Sequence, residues 1–333
     1  MTDPSIYHKL AAAIGAADSK YIHRIFELLA DAQEARIVLA ASPPATVPEL
    51  AAKCALPEAA VAQMAGRLFA KGLLFTSKKP DGLRYYRVRH VVQMHDATAV
   101  AVNAPRAMLD LWKAYMAEEF GPYSRMFEQM LPSAVMRVVP VNISISAQTQ
   151  ILAFEDIQHI VANARNLAVT ACSCRVIDGS CGKSVEVCVQ VDKAADYAIE
   201  RGTGRKIDKQ ETLALMKRCE EEGLIHVSDN ARSVGHVICN CCGDCCLAWH
   251  SVRTGAGKFV APSRFSAGVD AERCSGCETC LERCFFDAIA MSGENDTARI
   301  DPAKCMGCGL CLVTCPEAAI ALKEVRPAAF IPG

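Results

Sequence analysis

The apolar positions along the chain change period several times, and each change marks an element. From residue 20 the run SKYIHRIFELLADAQEARIVLAA places apolar side chains at helical spacing until Pro43-Pro44 stops it. VPELAAKCALPEAAVAQMAGRLFAKGLL then reads as two short helices parted near Pro57, and FTSKKPDGLRYYRV as two β-rich runs around an Asp81-Gly82 hairpin turn. Between 91 and 150, Met108, Leu111, Trp112, Tyr115, Met116 and Phe120 recur at helical spacing and stop near Gly121-Pro122; such a stripe is ordinarily core. Amphipathic helices are expected from Phe154 to Ala168 and from Thr212 to Gly223, the second leading into strand-like LIHVS and then SVGHVI. The cysteine-rich segments ACSCR and CNCCGDCC therefore begin where regular elements end.

Two helices followed by a basic hairpin resemble a winged helix, a likeness of pattern rather than of chemistry. Composition sharpens the picture at one residue type. The 333 residues carry 36 Lys plus Arg against 37 Asp plus Glu and are 51% apolar, which excludes a wholesale polyanion binder and a disordered chain. Eighteen of the 19 cysteines lie between Cys172 and Cys315. The amino-terminal MTDPSIYHKLAAAIGAADSK has no adequate apolar core for an export signal, and no stretch reaches about 18 consecutive apolar residues, so no membrane span and a cytoplasmic location are expected. In a reducing compartment, dense cysteines at short regular spacing point to metal ligation rather than to disulfides.

Residues 274–290 read CSGCETCLERCFFDAIA and residues 305–321 read CMGCGLCLVTCPEAAIA, a duplication of C-x2-C-x2-C-x3-C at constant offset. A zinc ribbon would need two pairs of ligands per site rather than two runs of four. The repeat resembles the bacterial two-cluster ferredoxin. That resemblance implies two 4Fe-4S clusters with crossed ligation: Cys274, Cys277, Cys280 and Cys315 at one, and Cys305, Cys308, Cys311 and Cys284 at the other. One departure is Phe285, where proline usually follows the fourth cysteine; it places apolar bulk near the cluster bound by Cys284 and could shift its potential.

Nine more cysteines form the groups Cys172, Cys174, Cys181, Cys188 and Cys239, Cys241, Cys242, Cys245, Cys246. A CSCR segment and a CNCC segment upstream of a ferredoxin repeat resemble a module of iron–sulfur proteins from anaerobic bacteria. The residues leave three readings open: a third iron–sulfur cluster or more, a structural zinc site as the alternative, or redox-active dithiols. Arg175 and Lys183 read as solvated charges that could stabilise thiolates, Cys54 and Cys219 as core, and His226, His236 and His250 as poor ligand candidates beside so much thiol. RGTGRK at 201–206 lacks the strand and full glycine pattern of a dinucleotide site and reads as a basic loop.

The expected fold is α+β: a winged-helix-like domain over 1–95, a helical connector over 96–150, a mixed α/β cysteine-rich domain over 151–262 and a ferredoxin-like domain over 263–333. Residues 67–90 hold seven bases against one acid, and residues 270–322 nine acids against four bases. The first pattern suggests a wing that docks DNA, a protein or a second copy as a homodimer; the second suggests a surface that steers a redox partner. The leading functional expectation is electron transfer to a partner reductase. The alternatives are a redox-sensing transcription regulator and a reductase that uses the CNCC thiols as its active site.

Overall fold

The computed structural model describes residues 5–80, 82–141, 156–233, 235–255, 257–293 and 296–333. The chain divides into two compact units, the first comprising 1–123 with 171–179 and 200–203, the second 124–170, 180–199 and 204–333.

The first unit opens with α1 (Ser5–Ala12), α2 (Ile22–Leu29) and α3 (Ala32–Ala40). Periodicity suggests one helix across the last two, but the chain breaks at Ala30 and Asp31. The Asp31 carboxylate accepts from the N–H groups of Gln33 and Glu34 while Glu34 reaches back to the Asp31 N–H, a capping box that satisfies a new helix start. A second box, Thr46 with Glu49, opens α4 (Val47–Cys54), and Pro57 precedes α5 (Glu58–Lys71). Along α5 the buried residues Val61, Met64, Ala65 and Leu68 form one apolar stripe.

Helix α5 ends at Gly72, whose φ of +83° is left-handed and whose added Cβ would stand 2.8 Å from the Ala97 backbone. Conformation and space both require glycine. Gly72→Ala is expected to cost at least about 1–2 kcal/mol from the left-handed backbone alone, seen as a lower denaturant midpoint at unchanged slope; an unchanged midpoint would show that this corner tolerates a side chain.

Strands β1 (Leu74–Lys79) and β2 (Gly82–Arg87) pair antiparallel, with Leu74 opposite Arg87 and Lys79 opposite Gly82. Asp81 of the expected turn lies outside the described residues. The basic run is largely engaged inside this unit. Arg67 (2.9 Å) and Lys71 (3.2 Å) hold the buried Glu34, Arg84 meets Glu49 at 3.1 Å, Lys78 meets Glu200 at 2.7 Å, and Arg87 donates to the carbonyls of Ala13 and Val88. Arg201 likewise is no loop cation: it is buried and donates to the carbonyls of Phe69, Ala70 and Ala97.

Helices α6 (Val91–Ala99), α7 (Arg106–Glu118) and α8 (Phe120–Gln129) follow. Met108, Trp112, Tyr115 and Phe120 are buried, and Leu111 and Met116 half-buried. The helix end expected near Gly121-Pro122 falls at Glu118, and α8 starts at Phe120. Pro122 sits in the first turn of α8, where its missing N–H removes no helical hydrogen bond.

The remaining chain builds a seven-stranded mixed sheet and a smaller carboxyl-terminal domain. In chain order come β3 (Met136–Val138), α9 (Ile157–Asn163), β4 (Leu167–Ala171), α10 (Ser173–Ile177), β5 (Glu186–Val191), α11 (Lys193–Glu200) and β6 (Gly204–Lys206). They continue with α12 (Lys209–Glu222), β7 (Ile225–Asp229), β8 (Val237–Cys241), α13 (Leu247–Arg253) and β9 (Val260–Ala261). The sheet order is β6–β4–β5–β8–β7–β3–β9. Strand β3 falls in the stretch expected to be a helical connector and escapes the sequence pattern, because three residues are too few to carry a period of two. The helix expected over 154–168 is shorter, since α9 stops at Asn163 and Leu167 opens a strand with four consecutive buried residues. Residues 142–155, with the expected boundary at 150, lie outside the described residues.

The carboxyl-terminal domain contains β10 (Phe265–Val269), α14 (Thr279–Arg283), β11 (Ile289–Met291), β12 (Ala298–Ile300), α15 (Leu310–Val313) and β13 (Ile320–Glu324). β10 pairs with β13 and β11 with β12, both antiparallel. Each half of the duplication therefore supplies a cysteine loop, a short helix and a strand. Cys280, Ala298, Cys311 and Ile320 form the buried centre, packed by Leu281, Ile289, Ile300 and Leu312.

Candidate metal centres

Two cavities flank that small core. The first is lined by Cys274, Cys277, Cys280 and Cys315 with Gly276, Met291, Ala298 and Ile320. The second is lined by Cys284, Cys305, Cys308 and Cys311 with Arg283, Phe286, Ile289 and Ile300. Each therefore draws three thiols from one half of the repeat and one from the other. The third cysteine of each run lies in a short helix, Cys280 in α14 and Cys311 in α15, and the fourth follows that helix, away from the loop that holds the first two.

The loops are shaped for a compact guest. Gly276 and Gly307 have φ of +68° and +67°, and an added Cβ would meet the carbonyl of Asp296 at 2.5 Å or of Phe265 at 2.2 Å. No side chain fits at either. Backbone N–H groups point at sulfur, from Ala267 to Cys305 (3.5 Å) and from Ala319 to Cys315 (3.3 Å). The Thr279 hydroxyl donates to Cys277 and holds its thiol below the usual range, whereas burial raises Cys280, pushes Cys308 up to about 12 and moves Cys311 in the same direction. Buried thiols of this kind become thiolates only when a cation offsets the desolvation, which is what an iron–sulfur cluster supplies. The donor set fits 4Fe-4S clusters.

The cavities differ in access. Cys277 is exposed at the mouth of the first, beside exposed Glu278 and Glu317. The second is lined by buried and half-buried residues, and its walls are tied to the body of the unit. Val141 N–H donates to the Cys308 carbonyl, and Arg283 donates to the carbonyls of Glu220 and Glu221 at the end of α12. The Arg283 guanidinium places a positive charge beside the second set of thiols.

Phe285 acts differently from the sequence expectation. Phe286, not Phe285, lines the second cavity, and Trp249 of α13 meets it edge-on at 5.0 Å between ring centroids. Phe285 instead lies on the CNCC segment, so close to Gly243 that a Cβ there would stand 1.8 Å from its ring. Arg253 lies over the Phe285 ring at 5.3 Å and donates to the Gly243 carbonyl. This clamp escapes sequence reading, although the unusual Phe-Phe pair after Cys284 is its trace.

The nine other cysteines are not one group. Cys172 and Cys174 belong to the first unit at the start of α10, next to Arg175, which is buried and no surface charge. Lys183 is engaged at the end of α12, donating to the Glu222 carbonyl at 2.6 Å. Cys188 is buried on β5. Cys239 and Cys241 share one face of β8, as residues two apart on a strand must, and the Cys241 thiol is hydrogen-bonded with those of Cys239 and Cys246, which raises it together with burial. Cys181, Cys242 and Cys245 form another set, all three sulfurs within 4.8 Å of one another. Within it Cys245 N–H donates to Cys242 Sγ at 3.4 Å, the Ser180 hydroxyl stands 3.5 Å from Cys245 Sγ, and burial pushes Cys245 up to about 12.

Among the described residues, none of the histidines His226, His236 and His250 joins the close group of Cys181, Cys242 and Cys245. Asn240, between Cys239 and Cys241 but on the opposite face of β8, meets buried His226 Nδ1 at 2.5 Å, and His226 Nε2 meets Glu220 at 3.3 Å. His226 serves a polar network behind the strand. His236 is exposed and lies 3.5 Å from Asp229, and burial lowers the pKa of His250 on α13. Cys219 is core, and Cys54 is half-buried at the end of α4.

No helix among the described residues is long and apolar enough to cross a membrane. No curated protein and no solved structure matches the chain. Residues 273–319 match the family model of the 4Fe-4S dicluster domain, so the two four-thiol cavities lie in a ferredoxin-like iron–sulfur region.

Proposed function

We propose that the chain is an electron-transfer protein in which Cys274, Cys277, Cys280 and Cys315 hold one 4Fe-4S cluster and Cys305, Cys308, Cys311 and Cys284 the second. The observation that carries this reading is the partition of eight thiols into two cavities of four, each crossing the repeat. Clusters of this type, when bound, take up and release one electron at a time. The residues determine where that happens. Exposed Cys277 and the acids Glu278 and Glu317 make the first site the contact point for a redox partner with a basic face, and acid-to-base steering sets the encounter rate. Arg283 and Phe286 tune the second site, by positive charge and by exclusion of water.

A winged-helix regulator is less well supported. The helix–helix–hairpin order of α4, α5, β1 and β2 suits it, but Arg67, Lys71, Lys78, Arg84 and Arg87 are engaged within their own unit rather than arrayed for phosphates. The middle segment adds thiol sites beside the relay. Reductive titration of the full chain under anaerobic conditions is expected to take up about two electrons, one per cluster, and to return them to a one-electron acceptor; a chain that takes up none is no carrier.

A further inference from the structure

The Cys181, Cys242 and Cys245 set differs in kind from the ferredoxin foursomes. Among the described residues it is the group of three metal-ligating side chains whose donor atoms all lie within 4.8 Å of one another, and neither foursome supplies such a group. The distinction has a chemical meaning. Thiolates on a 4Fe-4S cube bind different irons at different corners and stand well apart. Thiolates on a single tetrahedral ion share one centre: with metal–sulfur bonds of about 2.3 Å, their sulfurs are about 3.8 Å apart.

We propose that Cys181, Cys242 and Cys245 form a mononuclear three-thiolate site for a thiophilic divalent ion of the Zn2+ class, with the Ser180 hydroxyl at its fourth corner. An oxygen and a sulfur on such an ion, with bonds of about 2.1 and 2.3 Å, stand about 3.6 Å apart. Ser180 Oγ lies 3.5 Å from Cys245 Sγ. Cys242 and Cys245 are buried and Cys181 half-buried, so the ion sits under the surface, and as it binds the three thiols release their protons to solvent. The residues come from two places that the fold brings together, the loop after Gly179 and the turn after β8, and both belong to the second unit.

The neighbouring Cys241 thiol is hydrogen-bonded instead with those of Cys239 and Cys246, and β8 ends at Cys241, before Cys242. The set at Cys242 is thus assigned to a single ion rather than to a third cluster. This assignment does not depend on how the ferredoxin cysteines ligate.

Metal analysis of the anaerobically purified full chain, exchanged against buffer without metal, tests it. The expected result is about one zinc per chain, lost in Cys242→Ser and in Cys245→Ser and kept in Cys239→Ser, with iron and sulfide unchanged in all three. Replacement of the ion in the unmodified chain by Co2+ needs no variant to fold. It should give the intense visible bands of a tetrahedral centre together with sulfur-to-cobalt charge transfer, and Ser180→Cys should raise the charge-transfer intensity by about one third, from three sulfurs to four. No divalent ion in the unmodified chain overturns the proposal. So does loss of iron and sulfide in place of zinc in Cys242→Ser, or equal loss of zinc in Cys239→Ser. A failure of the electron-carrier reading would show instead in the iron count of the unmodified chain.

Discussion

Cys315→Ala is expected to remove the cluster whose three other ligands, Cys274, Cys277 and Cys280, lie in the opposite half of the repeat, and to spare the cluster nearer Cys315 in sequence. About four of about eight irons should be lost. Cys315 lines the cavity of Cys274, Cys277 and Cys280, its sulfur accepts from the Ala319 N–H, and it lies beyond α15, the helix that carries Cys311. Low-temperature spin resonance of the reduced protein provides the comparison. Cys315→Ala and Cys274→Ala should lose the same signal, and Cys305→Ala the other one. If Cys315→Ala instead matches Cys305→Ala, each run of four serves its own cluster and the crossing is wrong.

Trp249→Ala should cost stability and disturb one cluster selectively. Trp249 is 1% exposed and packs edge-on against Phe286, with Phe285 a further 5.4 Å from Phe286. Removing a buried indole leaves a cavity worth about 3–5 kcal/mol. Phe286 would lose the surface that holds it over Cys284, Cys305, Cys308 and Cys311, and water would reach the second cavity. Its reduction potential should move while that of the first cluster stays. Equal shifts at both clusters, or a shift at neither, would show that the aromatic contact does not set water access to the second site.

Legibility in the sequence followed the range of the interaction. The ferredoxin cysteines were readable because their spacing encodes a loop that closes locally, and the same spacing appears twice. The stripe at Met108, Trp112, Tyr115 and Phe120 was readable because a helix repeats its own geometry. Local chemistry could also mislead. Asp31 breaks a run of apolar residues that periodicity alone joins, since a capping box outweighs continuation of the helix. The strand β3 is too short to have a pattern.

What escaped the sequence depends on which strand neighbours which. Arg175 and Arg201 look like surface cations until burial places them, and the basic run at 67–90 looks open until Glu34, Glu49 and Glu200 are seen against it. The division of the CNCC cysteines had a partial trace: on a strand, Cys239 and Cys241 face one way and Asn240 the other. That Cys181 joins Cys242 and Cys245 could not be read, because it lies far off in the chain and meets them only through the sheet. Ser180, Arg283, Phe286 and Trp249 were missed for the same reason.

Iron and acid-labile sulfide analysis of the full chain, purified without oxygen, decides whether the eight repeat cysteines hold clusters. About eight irons and about eight sulfides per chain are expected, all belonging to the two crossed foursomes. Colourless protein, or zinc without iron at Cys274 to Cys315, would overturn that assignment.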